Sequence, residues 1–253
     1  MNGFLHLHEP DMSKAELADD NDLKNDLLRL LPESVFKKIQ PLLKEVDLKL
    51  NEVLWDMEEQ RKYVYFPTTA IICMYYDTDD GMSIEVGMTG RKGMVGVVAF
   101  LGDCIMSKRA VVEHEGHAYR AKSKDVENLF SHNEEFHEMC LSYTQALLAQ
   151  ISQNAICNQL HTIPQRLCRY LLVWQDILDA KEFSLTHEQI SNVLGVRRES
   201  VSAAAAQLRD KGIITYSRGK IIVTDRKGLL VEACECFQVV KDQYERIFKN
   251  LDD

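Results

Sequence analysis

The chain has 253 residues, of which 45% are hydrophobic and 27% charged, with a net charge of −9; this is ordinary globular composition, with length for two cores. Its longest apolar run, about Val95 to Gly102, falls far short of the ~20 residues that a membrane span needs. The N-terminus, Met1 to His8, lacks a basic region followed by an apolar core, so no secretory signal is expected and a cytoplasmic location is the default. In chain order, residues 1–20 are polar and acidic and read as a flexible arm. Two short helical patterns follow between Asn21 and Leu43, separated at Leu31-Pro32.

From Val46 to Lys122 the pattern changes to short segments rich in β-branched and aromatic residues: Val46–Leu54, Tyr63–Phe66, Ala70–Tyr76, Ser83–Met88, Val95–Phe100, Arg109–His114 and His117–Ala121. Turn residues separate them, as expected of an all-β roll. A short helix begins at Ser123. Glu134 to about Leu160 holds neither Gly nor Pro, and Phe136, Cys140, Tyr143, Leu147 and Ile151 recur there at helical spacing. One long helix is predicted, and this stripe is expected to pair with a second copy, the alternative being packing against the β domain. Thr162-Ile163-Pro164 ends it. The fold class is therefore α+β, in four parts: a flexible arm (1–20), an antiparallel, jelly-roll-like β-roll sensor domain (21–132), a dimerisation helix (133–160), and a DNA-binding domain with a C-terminal helix (161–253).

The last part carries the informative motif. Thr186-His-Glu-Gln189 fits a capping box opening a helix over His187–Val193. Leu194-Gly195-Val196 is a sharp turn, and a second helix is predicted over Arg198–Lys211 with Val201, Ala205 and Leu208 inward. Two helices joined by a short Gly-containing turn form the unit that lays its second helix in the DNA major groove. Two β-rich runs flank Ser217-Arg-Gly-Lys220 and read as a wing, with Arg218 and Lys220 placed for phosphate contact. Charge distribution agrees. Residues 1–160 carry 16 Lys and Arg against 26 Asp and Glu, whereas residues 184–227 carry eight against four. A short basic island on an acidic chain is the footprint of a phosphate-contacting module. On the outer face of the second helix, Arg198 can pair with guanine O6 and N7, and Glu199 can accept from cytosine N4.

The seven cysteines form no Cys-x-x-Cys pair, so spacing implies neither a zinc ribbon nor a disulfide framework, and no metal site is expected. Cys234 and Cys236 are the one close pair and the candidate for a thiol switch. His114 and His117, on a turn between strands, are expected at the surface rather than as haem ligands.

The order of β-roll, long helix and winged helix-turn-helix resembles the Crp/Fnr family over about residues 27–225. Gln165-Arg-Leu-Cys-Arg-Tyr-Leu-Leu is similar to the helix opening the family's DNA-binding domain. Glu188-Gln-Ile-Ser-Asn-Val-Leu-Gly-Val-Arg-Arg-Glu-Ser-Val-Ser202 is similar to its recognition signature. The resemblance implies that Arg198, Glu199 and Ser202 read bases and that Arg197 and Ser200 hold backbone. Ala203 stands where several members have a further Arg, which implies a different half-site. Gly93 to Gly102 and Lys108-Arg-Ala-Val resemble the family's phosphate-binding region, which implies an effector pocket at Gly96, Val97, Lys108, Arg109 and Ser152. Cyclic-nucleotide binders carry an acid where this chain has Val97, so cyclic AMP is disfavoured. No cofactor is predicted and the effector, a small molecule or redox signal, is left open.

The implied function is sequence-specific transcription regulation by a homodimer on double-stranded DNA, with RNA polymerase as a further partner. Two alternatives stand beside it: a ligand-binding signalling module acting through protein contacts, and a regulator that does respond to a cyclic nucleotide. The chain has no P-loop, HExxH or glycine fingerprint, and an enzyme is not expected.

Overall fold

The computed structural model describes residues 24–55, 62–77, 83–102 and 109–252. The arm expected over residues 1–20 and Lys108 lie outside them. A short 3₁₀ turn at Leu28–Leu30 and helix α1 (Glu33–Ile39) bury Leu27, Leu28, Val35, Phe36 and Ile39 against the β-roll. The strands are β1 (Lys44–Leu48), β2 (Val53–Trp55), β3 (Tyr63–Pro67), β4 (Ile71–Asp77), β5 (Ser83–Thr89), β6 (Arg109–His114) and β7 (Gly116–Lys122). They form two antiparallel sheets, β1-β7-β3 and β2-β6-β4-β5.

Two strand expectations are corrected. Val46–Leu54 is not one strand but the end of β1 and the start of β2, which join different sheets. Val95–Phe100 is not a strand: Val95 pairs once with Tyr65, and the backbone then turns at Gly96. The φ of +114° at Gly96 is left-handed and open to glycine at little cost, and a 3₁₀ turn over Val97–Ala99 follows.

Period-two alternation explains why β4 is an almost unbroken apolar run. Ile72 faces the space between the two sheets with Ala110 and Val112. Ile71, Cys73 and Tyr75, on the opposite face, join Leu171, Trp174 and Phe183 of the C-terminal half in a second core. The β-roll and the C-terminal module thus share one hydrophobic cluster.

Helix α2 (Ser123–His132) leads into α3 (Glu134–Leu160), whose start is capped by Asn133 Oδ1 accepting from Phe136 N–H at 2.9 Å. Here the expected dimer seam is corrected. Phe136, Cys140, Tyr143 and Leu147 are buried inside their own chain, beside Phe66 and Met94, with Ile151 packed against the same cluster. The Tyr143 hydroxyl donates to the Met94 carbonyl at 2.9 Å. A different face of α3 is open: Leu141 and Leu148 stand 44% and 59% exposed, with Ile156 and Leu160 further along.

Helix α4 (Ile163–Leu178) opens the C-terminal module, followed by β8 (Glu182–Ser184), α5 (His187–Leu194), α6 (Arg198–Asp210), β9 (Ile214–Ser217) and β10 (Lys220–Val223). The expected C-terminal helix is in fact two helices, α7 (Arg226–Glu232) and α8 (Cys236–Asp252). The break serves two packing partners, since α7 lies on α4 while α8 turns back along α3. Phe237, Val240 and Tyr244, spaced three and four apart, carry α8 inward. Among the described residues no helix is long and apolar enough to cross a membrane.

Candidate nucleic-acid interface and sensor elements

The turn between α5 and α6 is built by local chemistry. Gln189 N–H donates to Thr186 Oγ1 at 3.1 Å, and Thr186 N–H donates to Gln189 Oε1 at 2.9 Å. Both free donors at the helix start are thereby satisfied. Gly195 ends α5 with φ +60°, a left-handed conformation that an L side chain resists. Val196 N–H returns to the Ser191 carbonyl at 3.0 Å and brings the chain into α6.

Helix α6 buries Val201, Ala204, Ala205 and Leu208. Arg197, Arg198, Glu199 and Ala203 are exposed, and Ser200 and Ser202 are half-buried. Ser202 is already engaged. Its hydroxyl donates to the Arg198 carbonyl at 3.1 Å and lies 2.9 Å from His187 Nδ1. The His187 ring stacks on Tyr216 with centroids 4.2 Å apart, tying α5 to the wing. Burial, with the Arg198 charge adding to it, holds the His187 pKa below its ordinary value, so the ring stays neutral near pH 7. This His187–Ser202–Tyr216 arrangement has no sequence signal, because its members lie on three elements.

The wing is β9 and β10 with β8 as a third strand, in the order β8-β10-β9. Its tip is Arg218-Gly219, with φ of +49° and +79°. Two successive left-handed residues make the tight hairpin turn whose twist suits antiparallel strands. Arg218 is exposed there. Lys220 is not at the tip: it starts β10, and its Nζ lies 2.8 Å from Glu182 Oε1 of β8.

The residues expected to form the effector pocket are not gathered around one cavity among the described residues. Gly96 turns against Val64, and Val97 packs at the edge of the α3 core. Arg109 Nε is 3.0 Å from Asp77 Oδ2, so its charge is matched within the sheet. Ser152 is exposed on α3. A cavity of about 140 Å³ lies instead where β5, α3, α4 and α8 meet, lined by Thr89, Arg91, Gln150, Asn154, Arg169 and Lys241 among others. A second, of about 220 Å³, lies between the β-roll and α5 and includes Arg109, Glu113, Gln189 and Asn192.

Two buried carboxylates line these cavities, Glu113 the second and Glu85 the first. Glu113 Oε1 accepts from the Tyr75 hydroxyl at 2.7 Å, and Glu113 Oε2 accepts from Gln189 Nε2 at 3.1 Å. Burial pushes the Glu85 pKa up to about 7, against a hydrogen bond with Cys73 and with the Glu113 charge adding to the rise. Sequence spacing implied no metal site, yet one group of potential ligand side chains comes together. Cys157, His161, Cys234 and Cys236 converge with their ligand atoms all within 4.8 Å of one another. Their spacing along the chain concealed this, because the pairs come from opposite ends of the C-terminal half.

The architecture is that of a DNA-binding transcription regulator: a β-roll joined through a long helix to a winged helix-turn-helix. Residues 45–133 match the model of the cyclic nucleotide-binding domain, and residues 165–231 match that of the Crp-like helix-turn-helix domain. The chain belongs to the Crp/Fnr family, whose members are transcription regulators and not enzymes. Among solved structures it is similar to FixK2 from Bradyrhizobium japonicum, at 19% identity and a TM-score of 0.66, over 76% of this chain and 98% of that one. A Crp/Fnr-family transcriptional regulator from Eubacterium rectale is 18% identical with a TM-score of 0.61, over 83% and 98% of the two chains. The c-di-GMP-responsive global regulator CLP of Xanthomonas campestris is 10% identical with a TM-score of 0.63, over 76% and 99%. Comparison with curated proteins gives no sequence match.

Proposed function

We propose that the chain regulates transcription as a homodimer on a palindromic operator, each half-site receiving one α6 in the major groove. The observation that carries this is the exposed α6 face, with Arg198 and Glu199 at its N-terminal turn and Arg218 on the adjoining wing. Arg198 and Glu199 read base edges, Arg197, Ser200 and Arg218 hold phosphates, and Ser202 reaches a base only by loosening its contact with His187. Lys220 contributes long-range attraction while paired with Glu182.

The two copies pair along α3 through Leu141, Leu148 and Ile156, with Ser152 on the same stripe. Half-site centres then lie about 34 Å apart, one turn of DNA. The effector is a small molecule or a redox signal, and cyclic AMP is disfavoured because Val97 offers no acceptor for a ribose hydroxyl. The cavity between β5, α3, α4 and α8 suits a small-molecule effector, since a ligand there touches the sensor, the dimer helix and the DNA module together. RNA polymerase is the expected further partner, and the site of action is the cytoplasm.

Selection of bound duplexes from a random pool, with and without cyclic nucleotides and under oxidation, tests the proposal. A two-fold symmetric consensus is expected. Failure to enrich any symmetric sequence under every condition rejects it, and enrichment only with a cyclic nucleotide rejects the reading of Val97.

A further inference from the structure

The junction of α3, α4 and α8 holds a group that DNA binding does not use. Cys157 lies one turn before the end of α3 and His161 is that helix's C-terminal cap, four residues on and hence on the same side. Cys234 and Cys236 flank the break between α7 and α8. The Cys157 and Cys234 sulfurs are 3.5 Å apart, and Cys236 Sγ is 3.5 Å from His161 Nδ1. The three cysteines form a small buried cluster of their own, and His161 is half-buried beside it.

These separations are those of a mononuclear site. Zinc bonds of about 2.3 Å to sulfur and about 2.0 Å to nitrogen, arranged tetrahedrally, place ligand sulfurs roughly 3.8 Å apart and sulfur and nitrogen roughly 3.5 Å apart. Thiolates on different irons of an iron–sulfur cluster stand much further apart than four atoms within 4.8 Å allow.

The surroundings fit as well. His161 Nε2 lies 3.3 Å from Glu235 Oε1, which leaves Nδ1 directed at the cysteines. A carboxylate on the far nitrogen is the usual means of orienting a metal-ligating histidine. Gln153 Nε2 donates to Cys236 Sγ at 3.0 Å, as amides do to ligating thiolates. The Arg169 guanidinium stands beside the Cys157 sulfur.

We propose that Cys157, His161, Cys234 and Cys236 bind one zinc ion, in a Cys₃His site that fastens the C-terminal helix α8 to the junction of α3 and α4. Three thiolates and a neutral imidazole give the bound ion a net charge of −1, which Arg169 offsets. Binding releases the protons of thiols that are not already ionised and leaves every sulfur at its reduced level, so no oxidant is required. The metal sets where α8 lies along α3, and with it the support beneath α4 and the DNA module. The assignment rests on the four side chains and is independent of the operator proposal.

The test uses the full chain, purified under reducing conditions, stripped with a chelator, checked for free thiols and titrated with zinc and separately with cobalt. We expect about one zinc per chain, a rise in melting temperature, and the intense visible bands of cobalt bound tetrahedrally by thiolates. Cys236→Ser and His161→Ala are expected to weaken binding by at least about tenfold, and Glu235→Gln, a change at an exposed residue, by about tenfold. Cys140→Ala, which alters a cysteine outside the group, should bind as the parent does. Circular dichroism separates loss of metal from loss of fold, and Glu235→Gln reads the site even where a cysteine variant unfolds. Reduced, folded protein that takes up no stoichiometric zinc overturns the proposal. So does a pale, octahedral cobalt spectrum, or unchanged affinity in both Cys236→Ser and His161→Ala. A Cys157–Cys234 disulfide that forms in preference to zinc uptake under reducing buffer also overturns it.

Discussion

Gln189 serves two parts of the molecule at once: its carbonyl oxygen caps α5, and its amide donates across the domain contact to Glu113 at 3.1 Å. The first helix of the helix-turn-helix is thereby tied to β6 of the β-roll. Glu113→Ala leaves the Gln189 amide and the buried Tyr75 hydroxyl without that acceptor, a loss of about 1–3 kcal/mol. Hydrogen exchange should show faster opening of α5 with the β-roll protected as before. Unchanged exchange in α5 would mean that the contact does not hold the module.

Glu85 makes stability depend on pH. Its carboxyl is held protonated up to about 7 in the folded chain, against 4.5 as its ordinary value. The folded state therefore binds more protons between these values, and stability falls as pH rises through the window, by about 3 kcal/mol from this group. Urea titrations on either side of the window should show the fall in the parent and little of it in Glu85→Gln. A variant with the same slope as the parent would place the titration elsewhere.

On DNA, two arginines should behave differently. Arg198→Ala is expected to relax specificity at one base pair, costing about 1–3 kcal/mol on the preferred site alone. Arg218→Ala should weaken all duplexes alike and lower the salt slope by about one. Binding titrations on matched and mismatched duplexes at several salt concentrations decide this, and equal losses for Arg198→Ala on every sequence would remove it from base reading.

Leu148 stands on the open face of α3 and makes no contribution to the buried core there. Leu148→Glu should leave the monomer folded while opposing pairing, because a charge would be buried on association. Sedimentation velocity is expected to show a shift from dimer to monomer. A variant that stays dimeric would mean that another surface holds the copies together.

Gly93 tests how tightly the sensor is packed on the long helix. A Cβ there would lie 2.4 Å from the Tyr143 hydroxyl, whose bond to the Met94 carbonyl fixes its position. Gly93→Ala should cost about 1–3 kcal/mol by overpacking, read as a lower melting temperature. An unchanged melting temperature would show that Tyr143 has room to move.

Much of the DNA-binding half was legible in sequence because its signals are local. The Thr186–Gln189 box, the turn at Gly195 and the inward Val201, Ala205 and Leu208 depend on neighbours within a few residues, and each stands where the pattern places it. The stripe Phe136, Cys140, Tyr143 and Leu147 was equally legible as a buried face, yet helical periodicity says only that a face is covered. The tertiary structure showed that the cover is the chain's own β-roll and α8, which leaves Leu141 and Leu148 exposed.

Sites assembled from distant segments lay beyond sequence reasoning. Glu113 and Gln189 are 76 residues apart, and Cys157 and Cys234 are 77 apart. What the sequence determined by itself was most of the helices and strands and which face of α6 is buried, since hydrogen-bonded turns and apolar periods act over short stretches of chain. What only the tertiary structure decided was which buried faces meet, and with that the domain contact at Glu113 and the four-ligand group at the α3–α4 junction. Such meetings depend on chain folding over tens of residues, for which local propensity carries no term.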